Sequence, residues 1–287
     1  MSSFLGRANR ALARVLGELR QSVLANSPDV HLAKRRQNYE LLRQWRQDVD
    51  SDPNPLVRAG AKYYSQFDED GILLEILRRL GLSTGTFLEI GVGDGTENNT
   101  VNLIAHGWSG HWIGGEPLSW TPTGRRLRFT QAFVTVDNVV SLLGSSPSCD
   151  VFCLDLDGND YWIVQRAMTA LSPRVIVVEY NGRFPPPVAF AMPYKADHGW
   201  KGDDYFGASL QAWVDLFQEY RLVACSYMGL NGFFVRRDQR GFDDVPQDVA
   251  SLFRAPLYLP SVSVGHPVSP RTIAAIEAGT SDTKPSA

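Results

Sequence analysis

The chain has 287 residues, a formal net charge of -3 and three cysteines. This length fits one large α/β domain with an appendage. The slight acidic excess argues against nucleic-acid binding, because surfaces that track a nucleic-acid backbone are markedly basic. No apolar run reaches the roughly 18 residues of a membrane span. So few cysteines exclude a disulfide framework and favour a reducing, cytoplasmic compartment.

Residues 1–60 are predicted to form an N-terminal helical extension. Within 4–24, apolar residues recur at helical spacing between four arginines. Such a helix packs on its own domain or on a second subunit of a homo-oligomer, or it lies on an anionic membrane; we expect packing. Residues 29–49 predict a second helix, which must end before the Pro-Asn-Pro of 53–55 because proline cannot continue it.

A short apolar strand within residues 87–97 runs into Glu89-x-Gly91-x-Gly93-x-Gly95. Glycines at this point let the chain turn sharply and let its backbone approach a ligand. In the dinucleotide fingerprint G-x-G-x-x-G the third glycine falls one residue later, so the spacing disfavours NAD and an NAD-dependent oxidoreductase. The alternative is a glycine-rich turn that binds nothing.

The next elements are a helix over 99–106, a strand over 111–115 and a third strand over 132–136. Glu116 follows the second strand about 20 residues after the glycines, where an acid can accept both hydroxyl protons of a ribose. A surface-turn acid is the alternative. Asp137 and Asn138 close the third run, and such residues are common turn formers.

Two unbroken apolar runs, Val151–Asp155 and Arg174–Glu179, predict the fourth and fifth strands. Continuous hydrophobicity indicates burial on both faces, as in a parallel sheet covered by helices. A crossover helix is predicted over 161–171 between them. The remainder predicts a helix and a hairpin, at 208–220, 222–226 and 233–236.

Together these segments resemble the class I S-adenosylmethionine-dependent methyltransferases and, among them, the FkbM-type group. The resemblance rests on the glycine motif and on residues 65–71, 154–161 and 178–181. It implies a Rossmann-like, seven-stranded, mostly parallel sheet over residues 61–268, with one antiparallel strand inserted. Residues 269–287 are predicted to be a partly disordered tail.

The resemblance implies S-adenosylmethionine as the cofactor, with Asp137 or Asn138 reading the adenine amino group. It also implies O-methylation of a hydroxyl on a sugar, polysaccharide or glycolipid-type acceptor. A carboxylate or nitrogen acceptor, or a non-catalytic scaffold protein, are the alternatives. The predicted cofactor-binding residues are Gln66, Glu89, Gly91, Gly93, Gly95, Thr100, Glu116, Asp137, Asn138 and Asp155.

Transfer to a sugar hydroxyl needs a general base or a metal ion, because the pKa of that hydroxyl is far above neutrality. Asp155 ends the fourth strand, and Glu179 and Asn181 end the fifth, so the three should meet beyond one edge of the sheet. The arrangement resembles the metal site of catechol-type and macrolide-sugar O-methyltransferases, although Tyr180 splits the second pair here. We predict catalytic roles for Asp155 and Glu179, and Mg²⁺ held by Asp155, Glu179 and Asn181. Carboxylates that act without a metal are the alternative.

The segment from 184 to 205 has neither helical nor strand periodicity, and long loops of this kind are usually functional. Its aromatic and polar residues suit stacking on a sugar ring and bonding to its hydroxyls. His198 is the candidate base in this loop, with a surface position as the alternative. Asp157 or Asn159 is predicted to cap the helix that follows the fourth strand.

Overall fold

The computed structural model describes residues 28–144, 148–200, 202–257 and 269–278. The amphipathic segment 4–24, with the oligomer or membrane contact predicted for it, lies outside these ranges, and so do residues 279–287. Within the described ranges, none of the helices is both long and apolar enough to cross a lipid bilayer.

The chain divides into two compact units, residues 1–50 with 260–265, and residues 51–259 with 266–287. The described part of the first unit is almost all of helix α1 (Pro28–Ser51), which matches the helix predicted over 29–49. Ion pairs one turn apart, such as Arg43 with Glu40, support it along its exposed side, and each such pair contributes about 0.2–0.5 kcal/mol.

The second unit contains the remaining elements. Its strands are β1 (Thr86–Ile90), β2 (Ser109–Gly114), β3 (Leu127–Gln131), β4 (Val151–Leu154), β5 (Val175–Glu179), β6 (Tyr220–Cys225) and β7 (Asn231–Arg236). Its helices are α2 (Pro55–Arg58), α3 (Glu69–Arg79), α4 (Val101–Ala105), α5 (Val139–Leu143), α6 (Asp160–Ala167), α7 (Leu210–Leu216), α8 (Val249–Leu252) and α9 (Pro270–Ala278).

The seven strands form one sheet in the order β3-β2-β1-β4-β5-β7-β6. Strands β1 to β5 are parallel, whereas β7 runs antiparallel to both β5 and β6. All four residues of β4 are buried, as expected for a strand covered on both faces. The predicted fold class, a Rossmann-like and mostly parallel seven-stranded sheet, is confirmed.

The third strand was predicted in the wrong place. The structure forms β3 from Leu127–Gln131, which pairs with β2, while residues 132–136 lie beyond it. An edge strand needs only partial burial, so its sequence can be largely polar, and only Leu127 of β3 is fully buried. The apolar run at 132–136 is the stronger strand pattern, so the strand was predicted one segment too far along the chain.

Two segments assigned to the extension and to the tail pack on the sheet domain. In α2, Leu56 and Val57 are buried members of its hydrophobic core. In α9, Ile273 and Glu277 are fully buried, and the helix contacts α4. The compact domain therefore reaches beyond residues 61–268 in both directions.

Candidate active site

The three glycines after β1 have different surroundings. All have positive φ, but a side chain at Gly91 would overlap the carbonyl oxygen of Asp155, and a Cβ at Gly95 would lie 2.8 Å from Leu118. Gly93 is exposed, and a Cβ there would meet no atom within 4 Å. Packing inside the protein thus explains Gly91 and Gly95, whereas Gly93 borders open space that a ligand can occupy.

Glu89 and Thr100 are used within the fold. The Glu89 carboxylate accepts hydrogen bonds from the backbone N–H groups of Asn99 and Thr100, at 3.0 and 3.1 Å, and from the Thr100 hydroxyl. The indole N–H of Trp112 donates to the same hydroxyl at 2.7 Å. Burial raises the pKa of Glu89 to about 7, although these bonds act to lower it.

Thr100 is fully buried and Glu89 is 6% exposed. Both side chains are therefore engaged within the fold, and their contact with the cofactor stays a prediction. Because both tie the loop to the start of α4, they fix the backbone around Gly93. A buried acid needs such donors, and here the protein itself supplies them.

A cleft of about 350 Å³ opens at the carboxyl ends of β2 and β4. Glu116, two residues beyond β2, lies in its wall, and its contact with a ribose stays a prediction. Phe133 offers a ring that is 58% exposed. The lining comprises Gly115, Glu116, Ala132, Phe133, Val134, Leu156, Asn159, Ile163 and His198. An acid beside an exposed ring suits a nucleoside, with hydroxyls at one end and a flat base at the other, and we call this cavity the nucleoside cleft.

Asp137 and Asn138 do not line this cleft. The Asn138 side chain accepts from the backbone N–H of Thr135 at 2.8 Å and donates to the carbonyl oxygen of Phe133 at 2.9 Å. Since β3 ends at Gln131, both predicted adenine readers fall in the turn before α5. Phe133 lines the cleft but was not among the predicted site residues; its signal is an aromatic residue two positions after an edge strand.

Three carboxylates converge at the carboxyl ends of β4 and β5. Oxygen atoms of Asp155, Asp157 and Glu179 lie within 4.8 Å of one another. They border a second cleft of about 560 Å³, which we call the acid cleft. Its lining residues are Gln66, Phe67, Asp155, Asp157, Glu179, Trp200, Gly202, Asp203, Asp204, Phe206 and Leu230. Gln66, one of the predicted cofactor-binding residues, therefore lies in the same cleft as the three carboxylates.

Burial raises the pKa of Asp155 and of Glu179 well above the usual range, and the neighbouring acids raise both further. Burial also raises the pKa of Asp157, against the influence of His198. Among the described residues, no hydrogen bond or ion pair reaches the Glu179 carboxylate. Hard oxygen donors with uncompensated negative charge fit a divalent cation such as Mg²⁺.

The loop after β4 is shaped so that Asp157 faces this cleft. Asp160, the first residue of α6, accepts from the backbone N–H groups of Leu156 and Gly158, at 2.8 and 2.7 Å, and so fixes the loop before the helix. Asn159 occupies the N-cap position, but its side chain makes no capping bond. Asp157 itself has φ of 55°, a left-handed conformation that is uncommon outside glycine. Such local strain concentrates at functional sites.

Asn181 does not join the three carboxylates. Its amide nitrogen donates to the carbonyl oxygens of Asp204 and Phe206, at 2.8 and 3.0 Å, and its oxygen accepts from the N–H of Arg183. The side chain is 1% exposed and does not line the cleft. Asp157 replaces it as the third potential ligand, because Asn181 is engaged in shaping the loop that carries Trp200.

His198 lies in the same cleft as Glu116 and not among the lining residues of the acid cleft. Its Nε2 is 3.2 Å from the backbone carbonyl oxygen of Asp157. A carbonyl only accepts, so Nε2 carries the proton in this contact. The ring packs against Gly158, where any side chain would collide with it. His198 thus lines the cleft of Glu116, and its role as the base stays a prediction.

Comparisons with known proteins bear on the fold. No protein-family model matches the sequence, and no curated protein matches it. Among solved structures, the chain is similar to the 1,6-didemethyltoxoflavin-N1-methyltransferase of Burkholderia thailandensis, solved with 1,6-didemethyltoxoflavin and S-adenosylhomocysteine, at 15% identity. The match covers 73% of this chain and 90% of that chain with a TM-score of 0.39.

Two further structures are similar. An O-methyltransferase from Bacillus cereus in complex with S-adenosylhomocysteine is 13% identical, with 78% of this chain and 97% of that chain covered and a TM-score of 0.37. A methyltransferase from the mycinamycin biosynthetic pathway, in complex with Mg and S-adenosylhomocysteine, is 13% identical, with 59% and 50% covered and a TM-score of 0.39. These similarities concern the arrangement of helices and strands.

Proposed function

We propose that this protein is an S-adenosylmethionine-dependent methyltransferase of FkbM-like type. One observation carries the proposal: the nucleoside cleft with Glu116 and the acid cleft with Glu179 adjoin across the segment 155–159. A cofactor in the first cleft would have its reactive end beside the second. The glycine spacing supports this cofactor over NAD.

The acceptor we propose is a hydroxyl of a sugar, polysaccharide or glycolipid-type molecule. Trp200 is 53% exposed at the acid cleft, and its indole N–H donates to the carbonyl oxygen of Asp203 at 2.8 Å, which holds the ring in place. A fixed ring beside Asp203 and Asp204 suits the flat face and the hydroxyl edge of a pyranose. This extends the protein's role to carbohydrate modification.

The chain's own residues orient the acceptor and take its proton. The cofactor supplies the electrophilic methyl group. The protein contributes mainly by holding the two reactants in line, which can supply a large part of the rate enhancement. Glu179 is the base we propose, with Asp155 beside it, since a carboxylate with a raised pKa is a stronger proton acceptor once ionised.

Magnesium is the metal that fits the site. Asp155, Asp157 and Glu179 would hold it, and it would supply Lewis acidity that lowers the pKa of the acceptor hydroxyl. Chelation distinguishes this version from carboxylates that act alone. If the metal is required, a chelator stops turnover, added Mg²⁺ restores it, and S-adenosylhomocysteine binding survives. If the carboxylates suffice, turnover is insensitive to the chelator.

Calorimetry with S-adenosylhomocysteine and with NAD tests the cofactor. We expect binding of the first only, and the Gly93→Val variant should lose it because the branched side chain fills the open space. Gly107→Val is the matched control: Gly107 also has positive φ, and a Cβ there would likewise meet no atom within 4 Å, but it follows α4. Loss of binding in both variants, or in neither, contradicts the assignment.

Two other functions have sharp tests. A non-catalytic scaffold would bind S-adenosylhomocysteine and yet transfer no methyl group to any member of a panel of glycans, carboxylates and amines. Methylation of a carboxylate or an amine, but of no hydroxyl, would identify a different acceptor class.

The cysteines are free thiols, which supports the proposed reducing, cytoplasmic compartment.

A further inference from the structure

Helix α9 holds the loop between β2 and β3, defined here as residues 115–126. Glu277 of α9 is fully buried. One carboxylate oxygen accepts from the backbone N–H and the hydroxyl of Thr123, at 2.8 and 2.7 Å, and the other accepts from the N–H of Arg126 at 3.3 Å. The guanidinium of Arg125 donates back to the carbonyl oxygen of Ala278 at 3.2 Å.

The other end of the same loop contacts the glycine motif. The backbone N–H of Ser119 donates to the carbonyl oxygen of Asp94 at 2.9 Å. The indole N–H of Trp120 donates to the carbonyl oxygen of Gly95 at 3.4 Å. Glu116 lies at the start of the loop. The loop thus connects α9 to both predicted contacts of the cofactor, the open glycine and the ribose acid.

The docking of α9 is both apolar and charged. Ile273, one turn before Glu277, is fully buried, and the helix contacts α4. Burial acts to raise the pKa of Glu277, but the bonds from Thr123 and Arg126 outweigh it and lower the pKa. The carboxylate is therefore charged at neutral pH, and charge-assisted bonds are the stronger kind.

We propose that α9 is a clasp that holds the β2–β3 loop in its cofactor-binding conformation, with Glu277 as the positioning residue. The inference rests on the proposed function, because it assigns the cofactor to the cleft that this loop borders. Glu277 lines neither cleft, so its effect on cofactor binding must pass through Thr123 and Arg126 to Glu116.

The test compares Glu277→Ala with Arg271→Ala, which removes an exposed side chain of the same helix. For Glu277→Ala we expect KM for S-adenosylmethionine and Kd for S-adenosylhomocysteine to rise about tenfold or more, with kcat at saturating cofactor changed less than twofold. Glu277→Gln keeps one accepting oxygen and should recover part of the affinity. Arg271→Ala should match the wild type.

Hydrogen exchange separates failure of the clasp from failure of the proposed function. Amides of residues 115–126 should exchange faster in Glu277→Ala than in Arg271→Ala, whether or not a cofactor is added. If the wild type binds no S-adenosylhomocysteine, the proposed function fails, and exchange alone decides on the clasp. Unchanged exchange in Glu277→Ala overturns the clasp. An unchanged Kd for S-adenosylhomocysteine in this variant also overturns it, provided that the wild type binds the ligand.

Thr123→Val is a milder variant in case Glu277→Ala does not fold. It removes one donor to Glu277 and leaves the backbone N–H in place, and Thr123 is exposed to solvent. We expect a rise in KM of about two- to fivefold and faster exchange in the same loop. If Thr123→Val has both the KM and the loop exchange rate of the wild type, the proposal is overturned.

Discussion

Two carboxylates, the buried Asp70 and the half-buried Glu179, differ in the hydrogen bonds that they accept. One oxygen of Asp70 accepts from the backbone N–H groups of Tyr63, Tyr64 and Ser65, at 2.7, 2.6 and 2.9 Å. Among the described residues, Glu179 accepts no such bond and faces the acid cleft. Burial raises the pKa of both groups.

The difference separates a structural acid from one that is available to a ligand. Burying a charge is unfavourable unless hydrogen bonds or an opposite charge compensate it. Asp70 is compensated by a turn of its own chain, so it stabilises the fold around α3. Glu179 lacks that compensation, which is the condition under which a metal ion or an acceptor proton binds favourably. Four variants sharpen or break this comparison.

The largest effect is expected for Glu179→Gln. Neutralising this side chain removes the proposed base and metal ligand, so turnover should fall at least about 100-fold, or about 3 kcal/mol. The free energy of unfolding should rise at neutral pH, because a half-buried acid that accepts no hydrogen bond from the described residues is removed. Steady-state kinetics and urea unfolding measure the two changes. If Glu179→Gln is active and less stable than the wild type, Glu179 is a structural acid like Asp70.

Asp70→Ala should act in the opposite way. It leaves three buried N–H groups without an acceptor, and we expect the protein to lose about 2–4 kcal/mol of unfolding free energy. Asp70→Asn keeps an accepting oxygen and should lose much less. Turnover per folded molecule should stay near the wild-type value for both variants. A large loss of activity without a loss of stability would contradict the structural role.

Glu116→Ala tests an exposed acid in the nucleoside cleft. Loss of an ionised acceptor for two ribose hydroxyls should weaken S-adenosylhomocysteine binding by about 1–3 kcal/mol. Glu97→Ala, an exposed acid just past the glycine motif and outside both cleft linings, is the control. Equal affinity in calorimetry for Glu116→Ala and the wild type would place Glu116 outside the cofactor site.

The smallest effect is a pH dependence of stability from Glu89, which is buried like Asp70 and also accepts hydrogen bonds from its own chain. Burial raises its pKa from 4.5 to about 7 in the folded state. The folded state then binds more protons than the unfolded state between these values, so the unfolding free energy falls as pH rises from about 4.5 to 7.

Glu89→Gln should remove about 1–3 kcal/mol of the difference in unfolding free energy between pH 5 and pH 8. Glu75→Gln is the control, because its arginine partners lower the pKa of Glu75 to about 2, outside this window. Urea unfolding at both pH values measures the difference. Identical pH dependence in Glu89→Gln and the wild type would contradict the buried, proton-binding state.

The sequence by itself determined most of the fold. The continuous apolar runs of β4 and β5, and the glycine spacing after β1, are local patterns, because burial on both faces and positive φ constrain residue type position by position. The predicted roles of Glu116, Asp155 and Glu179 agree with where these side chains lie and stay predictions. Edge strand β3 was misplaced because partial burial left it a weak pattern.

Only the tertiary structure decided which side chains meet. Sheet order brings Asp155 and Asp157 beside Glu179, whereas Asn181, two residues from Glu179, is turned into the loop by three hydrogen bonds. The contact of Glu277 with Thr123 spans 154 positions of the chain. No local pattern encodes such a pairing, because it depends on how helices and strands pack after each has formed.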